Sequence, residues 1–214
     1  MVKDAFSHVR AWVFDLDNTL YPPEIRLFDQ IERLMTAYVS DTLGVSHAEA
    51  DHLRGHYWKT YGTTLAGLMA EHDLDPEPYL VAVHDIDMTV LPPDPALASA
   101  ITDLQGRKIV YTNGSAPYAE RVLAARGLSG VFDAVYGVEH AGYRPKPEED
   151  AFQKVFAADG INPREGAMFE DDARNLAAPH AMGMRTVHVA PARAEEPHVE
   201  FHTGDLSAFL SQLG

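Results

Sequence analysis

Ala11-Trp12-Val13-Phe14-Asp15-Leu16-Asp17-Asn18-Thr19 decides how this chain is read. Four apolar residues in succession stop abruptly at a polar run that carries two carboxylates. An apolar stretch of that length, bounded by polar residues, suits a strand buried on both faces in a parallel sheet. Working outward, similar runs recur at 108–111, 131–136, 166–169 and 185–190, with helical patterns between them at 116–126, 147–158 and 172–182. Strands alternating with helices predict βαβ units, and hence an α/β fold with a doubly wound, Rossmann-like parallel sheet.

One stretch breaks the alternation. No strand pattern occurs from residue 22 to about 93, whereas Leu27, Phe28, Ile31, Leu34, Met35, Tyr38 and Val39 recur at helical spacing. Further helical segments follow near 47–60, 65–72 and 77–84, and proline pairs, Pro22-Pro23 and Pro92-Pro93, bracket the block. The expected organisation is a catalytic core over 1–20 and 94–214, with an all-helical cap inserted over 21–93. The segment 193–202 reads as a surface loop ahead of a terminal helix at 205–213.

Composition narrows the function classes. Seventeen basic against thirty-two acidic side chains leave a formal net charge of −15 over 214 residues. That balance speaks against binding to nucleic-acid polymers, which depends on Lys and Arg neutralising phosphates. An acidic protein that handles an anion needs a local positive centre, and a bound cation supplies one compactly. There are no cysteines, which excludes disulfides, thiolate metal sites and cysteine nucleophiles. With no apolar leader in the first ten residues and no apolar run near the ~20 residues needed to span a bilayer, a cytoplasmic protein is expected.

In open α/β sheets ligands bind at the carboxyl ends of the strands. Those ends carry Asp15 and Asp17, then Thr112-Asn113-Gly114, then Glu170-Asp171-Asp172, while Lys146 lies between two prolines just ahead of a helix. Crowded carboxylates repel one another unless a cation or protons neutralise them. A hard, oxygen-preferring ion such as Mg²⁺ fits that requirement. An Asp carboxylate is also competent as a nucleophile towards phosphorus, with cationic groups neutralising the developing charge.

These residues, in this order, resemble the haloacid dehalogenase superfamily of phosphohydrolases. Its four motifs are matched by Phe14-Asp15-Leu16-Asp17-Asn18-Thr19, Tyr111-Thr112-Asn113-Gly114, Lys146 and Phe169-Glu170-Asp171. The resemblance implies that Asp15 is a nucleophile forming an aspartyl-phosphate and that Asp17 is the general acid and base. Asp15, the backbone carbonyl of Asp17 and Asp171 would ligate Mg²⁺, with Glu170 holding a coordinated water. Thr112, Asn113 and Lys146 would hold phosphoryl oxygens, and Thr19 would order the loop behind the nucleophile. An Asp at position 17 favours phosphate chemistry over the carbon–halogen chemistry of the dehalogenase members, which need no acid there.

Within the superfamily, Asp17-Asn18-Thr19-Leu20-Tyr21-Pro22, Tyr61-Gly62-Thr63-Thr64-Leu65 and His84-Asp85 look like the pyrimidine 5′-nucleotidase branch. That likeness implies a nucleoside monophosphate such as UMP or CMP as the small-molecule partner, with cap contacts from Tyr61, Thr63 and Thr64. A phosphomutase, or a generalist phosphatase of the phosphoglycolate type, is the alternative. Other residues read more plainly: Asp172 as a helix cap, Trp58 as cap core, His52 and His56 as ordinary cap residues. His84-Asp85 is open between a hydrogen-bonded pair and a substrate contact, and Arg174 between support of the site and plain surface.

Overall fold

Alternate residues of the first strand feed two separate cores. Trp12 and Phe14 pack into one, and Val13 into the other. The same period of two divides Val110 from Ile109 and Tyr111, and Ala167 and Phe169 from Met168. Both faces of the sheet are therefore buried, which explains why its strands are continuously apolar rather than alternating.

The computed structural model describes residues 2–214. Six strands form one parallel sheet: β1 (Ala11–Phe14), β2 (Arg107–Tyr111), β3 (Ala134–Tyr136), β4 (Gly166–Glu170), β5 (Arg185–Val189) and β6 (Phe201–Thr203). Their order is β3-β2-β1-β4-β5-β6, with Val13 opposite Ile109 on one side and Met168 on the other. The order reverses between β1 and β4, so the crevice at the end of β1 is the topological switch point where ligands collect. Phe14 and Phe169 stack there with ring centroids 4.6 Å apart, each fully buried and contributing about 1.5–3 kcal/mol by burial.

Helices cover both faces. A short α1 (Val2–Ala5) precedes β1, and α2 (Phe28–Leu43), α3 (His47–Tyr61), α4 (Thr64–His72) and α5 (Pro76–Val83) form the helical insertion that follows it. Of the core helices, α6 (Pro95–Thr102), α7 (Ala116–Ala125) and α10 (Leu206–Leu210) pack into the core containing Phe14, while α8 (Glu149–Asp159) and α9 (Ala177–Ala181) pack into the other. The chain leaves for the insertion and returns past one side chain. Buried Arg126 donates from Nε to the Leu20 carbonyl at 3.1 Å and from Nη2 to Asp94 at 2.7 Å. Its neighbour on α7, Arg121, donates to the carbonyls of His84 and Ile86. Among the described residues no helix is long and apolar enough to cross a membrane.

Three local expectations change. The segment expected as a loop over 193–202 ends in β6, paired to β5 through His188 and His202; three residues at an edge are too few for a sequence pattern to show. The expected strand at 131–136 pairs only over Ala134–Tyr136. The helix expected at 172–182 is split into a 3₁₀ turn, Ala173–Leu176, followed by α9. Pro179 accounts for the split, because it has no N–H to continue an α-helical ladder back to Asn175. Helices α1 and α6 had no counterpart among the expected elements.

Candidate active site

The loop after β1 folds back on itself. Asp15 still pairs with the sheet, its N–H donating to the Phe169 carbonyl at 2.9 Å. Asn18 then adopts a left-handed conformation at φ 58°, and the Leu20 N–H reaches back to the Leu16 carbonyl at 2.9 Å. This turn returns Thr19 Oγ1 to Asp15 Oδ2 at 3.2 Å and brings Asn18 Nδ2 to Asp171 Oδ2 at 3.3 Å. Thr19 does order the loop, and Asn18 ties it to the end of β4.

Lys146 is almost completely buried. Its ammonium donates to Asp15 Oδ1 and Glu170 Oε2, each at 2.6 Å, and to the Tyr111 carbonyl at 3.2 Å. Burial opposes the charge, but Asp15 and Glu170 outweigh it and hold the ammonium above its ordinary value. One carboxylate oxygen from each of Asp15, Glu170 and Asp171 lies within 4.8 Å of the others. Burial and the neighbouring Asp15 charge push the Glu170 and Asp171 carboxyls upward, with the Lys146 charge opposing the shift. Two buried carboxylates and the half-buried Asp171 against one ammonium form an all-oxygen donor set suited to a hard divalent cation. His188 steadies the last of them: its Nδ1 accepts from the Ala194 N–H at 3.3 Å, so Nε2 carries the proton given to the Asp171 carbonyl at 2.9 Å.

Asp17 lies outside that trio. Tyr21 and Tyr118 both donate their hydroxyls to its Oδ1 at 2.6 Å. Burial, together with the Asp15 charge, raises the Asp17 carboxyl to about 6 against the pull of the two phenols. Because Oδ1 accepts twice, a proton on Asp17 is directed to Oδ2. Tyr118 enters the site from the start of α7, which Ser115 caps by accepting from the Tyr118 N–H. Gly114 makes room for it: a Cβ there would stand 2.9 Å from Tyr118 Cδ1. His84 stacks on the same ring at 4.2 Å between centroids and meets Ser115 Oγ at 3.1 Å through Nδ1. His84 therefore partners Ser115 and Tyr118, which settles its reading against a pair with the exposed Asp85.

Thr112 Oγ1 accepts from the Gly114 N–H at 2.9 Å, which leaves the hydroxyl proton to donate. The Asn113 side chain has a task the sequence did not suggest. Its Oδ1 accepts from the Lys146 N–H at 2.7 Å and its Nδ2 donates to the Lys146 carbonyl at 3.1 Å. The residue expected on phosphoryl oxygens also sets the lysine loop in place.

A cavity of about 470 Å³ opens above these groups, walled by Asp17, Asn113 and Lys146 below and by α2, α3 and α5 above. Of the three expected cap contacts, Thr63 and Thr64 line it. Tyr61 does not: its hydroxyl donates to exposed Glu71 at 3.0 Å. Trp58, expected in the cap core, is 46% exposed and lines the cavity, while its neighbour Tyr57 is the buried one. Only one of two adjacent aromatics on α3 can face α4, and it is Tyr57, which packs over Gly67. Trp58 meets Arg174, whose guanidinium carbon lies 3.8 Å from the ring centroid, and Arg174 in turn pairs with Asp172 at 2.6 Å. This cation–π contact spans from insertion to core. Gly62 supports the same closure at φ 87°, where a Cβ would meet Pro145 Cγ at 3.2 Å.

A family model described as haloacid dehalogenase-like hydrolase matches residues 9–183. Phosphate metabolism protein 8 of Saccharomyces cerevisiae is 25% identical over 194 residues, 82% of this chain and 60% of that protein. Fructose-1-phosphate phosphatase YqaB of Escherichia coli is 33% identical over 95 residues, 44% of this chain and 50% of that protein. The chain thus spans about half to three fifths of the length of these curated relatives. Among solved structures, CbbY from Rhodobacter sphaeroides in complex with phosphate aligns with a TM-score of 0.67 at 18% identity, covering 95% of this chain and 99% of that one. At that identity the likeness bears on the fold.

Proposed function

We propose, for a chain that belongs to the haloacid dehalogenase-like hydrolases, that it is a phosphomonoesterase acting through Asp15 on a pyrimidine nucleoside 5′-monophosphate. The observation that carries the phosphatase reading is a pair of dissimilar carboxyls: buried Asp15 is bound to an ammonium, and half-buried Asp17 is raised to about 6. A carboxylate held by a cation, beside a second carboxyl raised towards its neutral form, can divide the work of nucleophile and acid.

The chemistry runs through the chain's own groups. An Asp15 carboxylate oxygen attacks phosphorus and the ester P–O bond breaks, with the leaving oxygen taking the proton held on Asp17. Water then attacks the aspartyl-phosphate, Asp17 takes its proton, and inorganic phosphate departs with Asp15 restored. Lys146 and the Thr112 hydroxyl hold the phosphoryl oxygens, and Asn113 holds Lys146. A Mg²⁺ bound by Asp15, Asp171 and the Asp17 carbonyl, with Glu170 nearby, would neutralise the carboxylate trio and polarise the phosphoryl group. The helical insertion, assigned as a cap over 21–93, would exclude water from the cavity and meet the leaving group through Thr63 and Thr64.

The nucleotide assignment rests on the sequence likeness of the loop after β1 and of the 61–65 segment. A sugar phosphate is the second reading, favoured by the similarity to a fructose-1-phosphate phosphatase. Phosphate release from UMP, CMP, fructose 1-phosphate, glucose 1-phosphate and phosphoglycolate, with Mg²⁺ and with EDTA, tests both. Preference for UMP or CMP supports the first reading and preference for fructose 1-phosphate the second. Turnover without phosphate release would indicate a mutase. Activity in EDTA would remove the metal, and appreciable activity of Asp15→Asn would remove the nucleophile.

A further inference from the structure

The cavity has a second set of polar groups, on its cap side and away from the carboxylates. Arg54 on α3 and Tyr79 on α5 both line it. Arg54 Nε and the Tyr79 hydroxyl are buried and meet no hydrogen-bond partner. Thr64 lies beside the phenol and influences it without closing a bond of normal geometry. Buried polar groups in folded proteins are otherwise nearly always paired. Two orphaned donors on residues that line the same space point to an acceptor that arrives with the ligand.

The surroundings determine what kind of acceptor. The terminal nitrogens of Arg54 are already engaged, Nη1 with Glu32 at 3.5 Å and Nη2 with Asp51 at 3.2 Å. Two carboxylates on one guanidinium leave the subsite net negative, so a carboxylate or second phosphate on the ligand would be repelled. A neutral oxygen acceptor meets no such penalty. Phe28, Ile31, Met35 and Leu80 supply apolar walls beside it, as a flat ring requires. Tyr79 is held protonated by its burial, which raises the phenol above its ordinary value.

We propose that Arg54 Nε and the Tyr79 hydroxyl form a specificity site for a neutral carbonyl oxygen on the substrate's leaving group, the ring carbonyl of a pyrimidine base. This deepens the nucleotide reading and rests on it. Uracil and cytosine both carry such a carbonyl, adenine carries none, and ribose 5-phosphate lacks the base altogether.

The test compares kcat/KM for UMP, CMP, AMP and ribose 5-phosphate in the wild-type protein, Tyr79→Phe and Arg54→Lys. Tyr79→Phe removes only the hydroxyl, and Arg54→Lys keeps a cation facing Glu32 and Asp51 while removing Nε. The expected wild type prefers UMP and CMP to AMP. In each variant the ratio of UMP to ribose 5-phosphate should fall roughly tenfold, the scale of one buried hydrogen bond. Ratios measured on one preparation cancel any loss of folded protein. A wild-type preference for UMP with ratios unmoved in both variants overturns the subsite and leaves the nucleotide reading standing. AMP used as well as UMP overturns the carbonyl. Ribose 5-phosphate used as well as UMP, or no nucleotide used at all, overturns both.

Discussion

Replacing Lys146 with methionine removes the cation that stands among Asp15, Glu170 and Asp171 while roughly keeping its volume. Both of its ionic contacts are 2.6 Å long and buried. At an effective dielectric constant of about 20, each is worth roughly 6 kcal/mol before desolvation, so the carboxylates cannot simply stay ionised without it. The lost charge is replaced when one of them takes up a proton. For a carboxyl of ordinary pKa about 4.3, that uptake costs about 1.4 kcal/mol for every pH unit above the pKa. The destabilisation relative to wild type should therefore be about 1 kcal/mol at pH 5 and about 5 kcal/mol at pH 8, the upper value matching the ~3–5 kcal/mol seen when a buried pair loses one partner. The sign follows because the folded variant binds a proton that the unfolded chain has released, so its stability falls as pH rises. Urea unfolding of wild type and Lys146→Met in EDTA, followed by circular dichroism between pH 5 and 8, measures the difference. Adding Glu170→Gln removes a carboxylate that Lys146 neutralised and should recover most of the loss. A destabilisation that is flat with pH, or under about 1 kcal/mol at pH 8, would refute the view that Lys146 is the internal counter-ion of the cluster.

Two further outcomes rest on the groups around Asp17. Tyr118→Phe removes one of its two donors; since hydrogen bonds to a charged acceptor are worth about 1.5–3 kcal/mol, the limb of the pH–rate profile set by Asp17 should move about one to two units alkaline, and a profile that stays in place argues against Asp17 as the titrating acid. His84, lowered to about 4 by burial, is folded in its neutral form while the unfolded chain takes up a proton near 6.5. Its contribution to stability is complete above pH 6.5 and is lost as pH falls towards 4, by up to about 3 kcal/mol. His84→Gln should flatten that acid slope in thermal melts, and melting curves with the same pH dependence as wild type would show that His84 does not set it.

Much of the architecture is legible along the chain because it is written in local patterns. Ala11–Phe14 is continuously apolar since both faces of β1 are covered, and the carboxylates that follow it stand at a strand end by necessity of chain order. The same logic places Thr112 after β2 and Glu170-Asp171 at the end of β4, and helical spacing reveals α2. Those features depend on neighbours one to four residues apart. The protonation arrangement at Asp17 does so only in part. Tyr21 is four residues on, but the second donor, Tyr118, lies 101 residues away, and Lys146 lies 131 residues from Asp15. Nor does any short pattern tell Trp58 from Tyr57, turn Tyr61 away towards Glu71, or leave Arg54 and Tyr79 facing one cavity. Those outcomes follow from how the insertion packs on the core and on itself, where side-chain direction and burial are set by contacts distant in sequence. Local periodicity is enough to place strand ends and carboxylates; only packing brings donors to an oxygen, buries a charge, and decides which proton is held.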